Sequence, residues 1–285
     1  MSPNYLHRIC ICLFALVNSA GALAAGPTGK YYLTAGTQHQ NWIVQGTATT
    51  SFAQVSNGGA NFESPIAVAG DIRTISNTSG GGTTLGSQYT PSGVFTGTTY
   101  AGVAQNFYDG ATDGARNFSV NYPAVGTGTV FAMTRNWTTP TPLFVATGNV
   151  GPLGITYDPL NSSLWVSDFG GTRVQNYSLS GALLGGFNTA FSSITALAMD
   201  YSDGTLWMGS QSTQGTFYQY SRAGLLLQTV QYASLVSQNT LGGEFNFAPV
   251  PEPATFMLLG GGIALLAAAA RGRTWWASQP PTPAH

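Results

Sequence analysis

Charged residues are scarce in this sequence. Its 285 residues include 9 Lys and Arg and 10 Asp and Glu, so that 7% are charged and the formal net charge is −1. Ordinary soluble domains carry about 25% charged residues. A basic surface able to neutralise a run of phosphates cannot be assembled at this density, which excludes nucleic-acid binding. The polar surface must come instead from Thr, Ser, Gly, Asn and Gln, a composition typical of exported β-rich proteins.

Cysteine and histidine are scarcer still. The two cysteines, Cys10 and Cys12, stand in the first apolar segment, and His39 is the only histidine between residues 26 and 250. We therefore expect no disulfide, no thiolate metal site, no histidine cluster for zinc or iron and no cofactor, with His39 at the surface. A Ser-His-Asp triad could be built only on His39, and no nucleophile-elbow motif accompanies it.

The N-terminus has the layout of a secretory signal. His7 and Arg8 precede an apolar stretch from Ile9 to Val17, and small residues follow it. This order predicts a signal peptide over residues 1–25, cleaved after Ala24 or Ala25. The cysteines are removed with it.

The other long apolar run lies near the C-terminus. Residues 254–270 carry no charge, and as a helix they would reach about 25 Å, near the lower limit for crossing a bilayer. Arg271 and Arg273 follow, so the positive-inside bias places the tail 274–285 in the cytoplasm and everything before Pro251 outside. A buried core helix is the alternative, but the glycines at 260–262 are more typical of membrane helices.

The residues before this span carry a resemblance. Val250, Pro251, Glu252 and Pro253, then the apolar span and the two arginines, resemble the PEP-CTERM sorting signal of Gram-negative bacteria, here over residues 249–273. The resemblance implies processing by an exosortase. It also implies transient anchoring in the inner membrane with the main domain periplasmic, and then delivery to the cell envelope or the extracellular space, in exopolysaccharide or biofilm surroundings.

The segment between the two signals, residues 26–248, contains an internal repeat. Gly154 to Ser167 recurs as Ala196 to Gly209, and a second, downstream stretch recurs in the same register. The matched positions are Asp158 with Asp200 and Trp165 with Trp207, both 42 residues apart, and Tyr177 with Tyr220 and Gly181 with Gly224, both 43 apart.

Each copy is predicted to contain four short strands, at 154–157, 164–167, 174–178 and 183–187 in the first copy. A four-stranded unit of about 40 residues is typical of a β-propeller blade. The adjacent large apolar residues Leu164 and Trp165 indicate a strand covered on both faces. The repeat also resembles those of NHL-type propellers, which implies architecture and not activity.

Weaker copies precede the clear pair. Residues 89–93 repeat the Tyr-x-x-x-Gly hairpin, residues 65–71 resemble the first strand, and 102–104 with 117–120 suggest a more irregular blade. Residues 30–52 could combine with 232–247 to close a ring. We therefore predict an all-β propeller-like array of five or six blades, with a β-sandwich as the alternative.

No catalytic or metal-binding constellation emerges from the sequence. Asp158 and Asp200 are expected to cap turns, and the segment from Asp109 to Gly114 hints at a calcium loop but lacks its ligand pattern, so two tight turns are expected there. Glu63 and Glu244 are the only glutamates between residues 26 and 250, and nothing in the sequence brings them together. We expect water to keep these acids ionised.

The residues that flank each tryptophan indicate whether its side chain is buried or exposed. Trp165 and Trp207 are expected in the core, whereas Trp42 and Trp137, flanked by polar residues, are expected at the surface, where they could stack on sugars. The sequence thus predicts a non-enzymatic exported scaffold or binding protein associated with exopolysaccharide. The alternative is an extracytoplasmic hydrolase or lyase acting on sugars through carboxylates at the propeller mouth.

Overall fold

The computed structural model describes residues 25–36, 39–55, 62–77, 84–103, 106–123 and 126–247. Within these ranges no helix is long and apolar enough to cross a membrane; the predicted span 254–270 lies outside them, as does the predicted signal peptide up to residue 24. The elements are β1 (Tyr31–Ala35), β2 (Gln40–Gln45), β3 (Ala48–Ala53), β4 (Glu63–Val68), β5 (Ile72–Ser76), β6 (Leu85–Tyr89), β7 (Phe95–Ala101), β8 (Ala111–Thr112), β9 (Arg116–Val120), β10 (Thr129–Thr134), β11 (Thr141–Val145), β12 (Pro152–Asp158), β13 (Ser163–Asp168), β14 (Arg173–Ser178), β15 (Leu183–Asn188), β16 (Ile194–Asp200), β17 (Thr205–Ser210), β18 (Thr216–Tyr220), β19 (Leu226–Gln231) and β20 (Thr240–Phe245), with 3-10 turns at Gln211–Thr213 and Ala233–Leu235.

The strands of the described residues form five four-stranded antiparallel sheets. Blade 1 has the order β20-β1-β2-β3, and blades 2 to 5 follow in chain order as β4–β7, β8–β11, β12–β15 and β16–β19. The first strand of each sheet contacts its counterparts in the neighbouring sheets, so that β20, β4, β8, β12 and β16 surround one axis. The expected propeller is confirmed, with five blades, and the β-sandwich alternative is wrong.

Blade 1 closes the ring because it joins both ends of the domain. Its inner strand β20 comes from the C-terminal side and pairs with β1, where Tyr31 lies opposite Phe245 and Tyr32 opposite Glu244. This is the combination of residues 30–52 with 232–247 that the sequence suggested.

The repeated strands lie where the sequence placed them, within two residues. All seven residues of β12 and of β16 are buried, because each inner strand is covered by blades on both faces. Trp165 and Trp207 are 4% and 0% exposed, which confirms that they belong to the core. The expectation for Trp42 and Trp137 was wrong, since these side chains are also buried, at 9% and 0% exposure.

The Tyr-x-x-x-Gly hairpin recurs in three blades. Gly93, Gly181 and Gly224 have φ of +84°, +87° and +82°, a region open to glycine at little steric cost, and each donates its N–H to the carbonyl three residues earlier. The weak copy at residues 89–93 is therefore confirmed. Blade 3 repeats the turn from Thr134 to Thr138 with Trp137 in the glycine position at φ +56°. This copy of the hairpin could not be recognised from the sequence, because tryptophan stands in place of the glycine.

The inner strand of blade 3 departs from the prediction. It was expected at residues 102–104, but β8 covers only Ala111–Thr112, and Gly102 and Val103 lie outside any strand. The segment 107–110 that leads into β8 is therefore free of ladder pairing apart from one bridge between Phe107 and Asn121. This irregularity places an acidic side chain on the axis.

The directions of the inner strands distinguish the two ends of the propeller. We call the end at which the inner strands begin the upper end, and the end at which they finish the lower end. The hairpins between the first and second strands and between the third and fourth strands of blades 2 to 5 lie at the lower end. The connections from one blade to the next lie at the upper end.

Candidate functional site

A cavity of about 260 Å³ opens on the axis at the upper end. All five blades contribute to its wall, whereas two larger grooves, of about 430 and 370 Å³, are each lined by a single blade. We call this cavity the mouth. It is lined by Phe62, Tyr108, Tyr122, Leu153, Phe169, Gln211, Asn239 and Leu241.

Aromatic rings dominate the mouth. The rings of Tyr108 and Tyr122 lie 5.5 Å apart and meet edge to face, and Tyr122 meets Phe169 in the same way at 5.6 Å. Phe62 stands just before β4, and all four rings are half-buried. Each ring therefore keeps part of its surface towards the cavity.

Backbone hydrogen bonds hold these rings in place. Tyr122 donates its N–H to the carbonyl of Asn106, and the Asn106 amide donates in return to the carbonyl of Tyr122, at 2.9 and 2.8 Å. Phe169 donates to Gly151 at 2.8 Å and accepts from Ser193 at 3.0 Å. The arrangement is preorganised, which lowers the entropic cost of binding a ligand.

The chemistry of the mouth is neutral. Its lining includes the amides of Gln211 and Asn239 but no Asp, Glu, His, Lys or Arg. Aromatic faces with a few amide groups suit an uncharged ligand that has both apolar and hydroxyl surfaces. The volume lies slightly below the roughly 300–1,000 Å³ of ordinary ligand pockets, which favours a small ligand or the end of a chain.

Asp109 occupies the axis and is fully buried. Its carboxylate accepts four backbone N–H groups, from Gly243 at 2.8 Å, Gly110 at 2.9 Å, and Ile155 and Leu197 at 3.0 Å each. These donors come from blades 1, 3, 4 and 5. One side chain thus joins four of the five blades, and the mouth ends above it.

The electrostatics of Asp109 combine two opposed effects. Burial raises the pKa of its carboxyl well above the usual range, and the four backbone N–H groups act in the opposite direction. All four partners are donors, so the ring of N–H groups matches the ionised, acceptor-only carboxylate. With its oxygens occupied in this way, the group is poorly placed to exchange a proton with a ligand.

Glycines allow the inner strands to approach the axis this closely. A Cβ at Gly154 would stand 2.4 Å from the Ser167 hydroxyl and 2.8 Å from the Leu197 Cβ. A Cβ at Gly243 would stand 2.7 Å from the Tyr31 hydroxyl. Close packing at the axis therefore accounts for the glycine at residue 154, while the second copy of the repeat has Ala196 at the equivalent position.

Glu244 is the second buried carboxyl near the axis. It accepts the N–H of Phe245 at 3.0 Å and the hydroxyls of Thr156 and Tyr201 at 3.3 and 3.4 Å. Burial, and then the charge of Asp109, raise the pKa of Glu244 well above its usual range. Hydroxyl partners can also accept, so these contacts suit the neutral acid as well.

Phe247 covers the lower end of the axis. Its ring meets those of Tyr201 at 5.4 Å and Tyr157 at 6.0 Å, and its N–H donates to the carbonyl of Val68 at 2.7 Å. The preceding Asn246 accepts the N–H of Gly70 at 2.8 Å. The axis is therefore open towards the mouth and covered at the lower end.

The turn-capping roles of Asp158 and Asp200 are confirmed. Asp158 accepts the N–H of Leu160, and Asp200 that of Ser202, two residues on in both cases. The two aspartates differ in their other partners. Asp158 also accepts the indole N–H of Trp165 at 3.1 Å, and it accepts two hydrogen bonds from the guanidinium of Arg222, at 2.7 and 2.9 Å.

Among the residues that the structure describes, no arginine or lysine forms an ion pair with Asp200. Within the same part of the chain, its Oδ2 and the Trp207 indole N–H are buried without a hydrogen-bond partner, and burial raises the pKa of Asp200. The two copies of the repeat thus share the turn and the tryptophan, while only the first has the arginine.

The expected hydration of the acids was wrong for six of them, which are at most 2% exposed: Glu63, Asp109, Asp158, Asp168, Asp200 and Glu244. Glu63 bonds Tyr89 and Asn41, away from the partners of Glu244. Of the two tight turns expected at residues 109–114, only the second exists: Asp113 accepts the N–H groups of Ala115 and Arg116. The sequence missed the axial role of Asp109, for which the only signal was a glycine after it.

In the described ranges no three His, Cys, Asp or Glu side chains are grouped so as to hold a metal ion. His39 lies in the upper-end turn between β1 and β2 and is half-buried, so it is less exposed than expected. The sorting residues Val250, Pro251, Glu252, Pro253, Arg271 and Arg273 lie outside the described residues.

Comparison with known proteins bears on both parts of the chain. Residues 249–273 match the family model of the PEP-CTERM protein-sorting motif, where the sequence placed that signal. The comparison with curated proteins found no match.

Solved structures resemble the propeller. A chain of the nidogen/laminin complex has a TM-score of 0.51 at 12% identity, covering 77% of this chain and 99% of that one. Virginiamycin B lyase from Staphylococcus aureus has a TM-score of 0.44 at 14% identity, and the match covers 77% of this chain and 75% of that one. A protein of unknown function from Bacteroides caccae has a TM-score of 0.44 at 11% identity, and the match covers 72% of this chain and 74% of that one. At such identities the likeness shows the fold alone.

Proposed function

We propose that the protein is a non-enzymatic propeller of the cell envelope or extracellular matrix, sorted by an exosortase, that binds neutral exopolysaccharide at its mouth. The sorting motif indicates an exported protein that an exosortase processes after membrane anchoring. The ligand, the matrix location and the absence of catalysis belong to the proposal.

The composition of the mouth carries the proposal. Four half-buried aromatic rings and two amides from all five blades converge on one cavity whose lining includes no Asp, Glu, His, Lys or Arg. Sugar rings present C–H faces that pack on aromatic rings and hydroxyls that bond amides. A neutral glycan therefore fits this lining better than a charged one, which would lose its hydration without gaining an ionic partner.

The state of the buried carboxylates supports a binding role over catalysis. General acid–base catalysis needs a group within hydrogen-bond reach of the reacting atoms. Asp109, the acid on the axis, accepts four backbone N–H groups, and Glu244 is fully buried. Neither contributes to the lining of the mouth.

A binding experiment tests the ligand. Protein purified from the native host would be titrated with neutral and with uronic-acid polysaccharides, and the products would be analysed for cleavage. We expect binding to neutral glycans without turnover. Tyr122→Ala should weaken it about tenfold, because it removes the central ring of the mouth.

The control is Leu160→Ala, which changes an exposed apolar side chain in a lower-end hairpin and should bind as the wild type does. Absence of glycan binding, or equal binding by Tyr122→Ala, would contradict the site. Turnover abolished by changing Asp109, Asp113, Glu63 or Glu244 would instead establish the hydrolase or lyase alternative.

A processing experiment tests the sorting. Replacing Glu252 by Ala in the native host should leave an unprocessed form held in the membrane, because the substitution removes the carboxylate of the motif. Immunoblots of membrane and extracellular fractions would measure this. The same size and location for variant and wild type would contradict exosortase processing.

A further inference from the structure

We infer that, while the chain is anchored, its lower end faces the membrane and its mouth faces away from it. The inference rests on the membrane anchoring in the proposed function, and it adds which surface of the propeller is presented to partners. Its structural basis is the point at which the chain leaves the domain.

The chain leaves at the axis of the lower end. The innermost strand β20 of blade 1 ends at Phe245, and the next two residues are fixed by other blades. Asn246 accepts from Gly70 of blade 2, and Phe247 donates to Val68 of the same blade while its ring packs on Tyr157 and Tyr201 of blades 4 and 5. The attachment point is therefore set by contacts with three blades besides its own.

The number of residues between this point and the predicted span limits rotation of the domain. Six residues separate Phe247 from Ala254, so Ala254 can lie at most about 25 Å from Phe247. Three of the six are proline, a composition typical of semi-rigid spacers. A domain of about 220 residues is roughly 40 Å across.

These lengths decide the orientation. To bring the mouth against the bilayer, the connecting chain would have to pass from the lower axis around the rim to the upper end, a path longer than the domain is wide. The available reach is shorter than that width. The lower end is consequently held towards the lipid, and a long glycan can approach the mouth from the outer side.

Single cysteines can measure this orientation, because the predicted mature chain has none of its own. Two exposed positions suit the purpose: Leu160, in a lower-end hairpin, and Ser237, in the connection to β20 at the upper end. Each would be changed to Cys in residues 26–285 carrying Glu252→Ala, labelled with a donor dye, and reconstituted into vesicles whose headgroups carry an acceptor.

The expected result is energy transfer at least about twofold greater from Leu160→Cys than from Ser237→Cys, because strands of six or seven residues separate the ends by about 20 Å. Equal transfer, or greater transfer from Ser237→Cys, in protein that floats with the vesicles would overturn the orientation alone. Protein that does not float would overturn the anchoring, and the orientation with it.

Discussion

The two ends of the propeller differ in charge and in closure. Four of the five ion pairs among the described residues lie at the lower end, and only the pair of Arg173 with Asp168 lies at the upper end. The lower end is also where Phe247 covers the axis. The mouth at the upper end is lined by aromatic and amide side chains without a charge. In a chain with so few charges, this clustering at the lower end leaves the mouth lined by neutral side chains.

Local turn chemistry accounts for the lower end. Short hairpins need acceptors for N–H groups that the strands leave unpaired, and Asp supplies them two residues before the donor. Asp113, Asp158 and Asp200 all do this. Arginines then pair with some of these carboxylates, so the charges at this end stabilise turns.

The upper end has other constraints. The connections between blades are longer there. These connections and the turns between the second and third strands together bring rings and amides to the axis from all five blades. Because the chain leaves at the lower end, this surface is free of the attachment. The charges and the chain exit thus lie mainly at the lower end, while the upper end carries the neutral mouth.

The largest effect is expected from the carboxylate that separates the two ends. Asp109→Asn places an amide N–H₂ among backbone donors and leaves at least two N–H groups without an acceptor, so we expect a loss of about 4 kcal/mol or more in the free energy of unfolding. Urea titration would measure it. Asp203→Asn, at an exposed lower-end turn, is the matched control and should change little. A similar small loss in both variants would contradict the axial role of Asp109.

The repeated tryptophans should come next. Truncation of Trp165 or Trp207 to Ala should cost about 3–5 kcal/mol, as for large aromatics in cores. Trp165→Phe should cost about 1 kcal/mol more than Trp207→Phe, since only the Trp165 indole donates to a carboxylate at the lower end. Equal losses for the two Phe variants in chemical denaturation would show that this hydrogen bond contributes nothing.

The ion pairs at the two ends offer a smaller and more direct test. Arg222 bonds Asp158 bidentately across two blades, whereas Arg173 bonds Asp168 within blade 4. Both arginine side chains are partly exposed, so Arg222→Met should cost about 1–2 kcal/mol and Arg173→Met less. A double-mutant cycle with Asp158→Asn would isolate the pair. A coupling energy of zero would mean that the bridge does not join the blades.

The last prediction concerns pH. The pKa of Glu244 is raised in the folded protein, so the native state binds a proton that the unfolded chain releases above about pH 4.3. Its contribution to stability is then present below that pH and lost as pH rises towards the folded pKa, by up to about 1.4 kcal/mol per pH unit. Glu244→Gln should flatten this dependence in thermal melts between pH 4 and 8. An unchanged slope would show that another group is responsible.

The sequence predicted those features that depend on residues close to one another in the chain. The strands of the repeat, the turn-capping by Asp158 and Asp200, the burial of Trp165 and Trp207, and the C-terminal motif are each encoded by residues a few positions apart. Periodicity also led to the ring closure, because repeated blades need a partner for each terminal strand.

Patterns of neighbouring residues therefore predicted the sorting motif, the propeller and its local turns. The set of side chains that meets on the axis depends instead on contacts between blades that are distant in the chain. Asp109 and Trp137 looked like turn and surface residues because their neighbours are polar or small, yet distant blades enclose both. The mouth is likewise built from residues up to 179 positions apart, from Phe62 to Leu241. Convergence of this kind is hard to recognise in the sequence, because equivalent positions carry different residue types: Phe169 and Gln211 are 42 residues apart at the same place in two blades, yet one is aromatic and the other an amide.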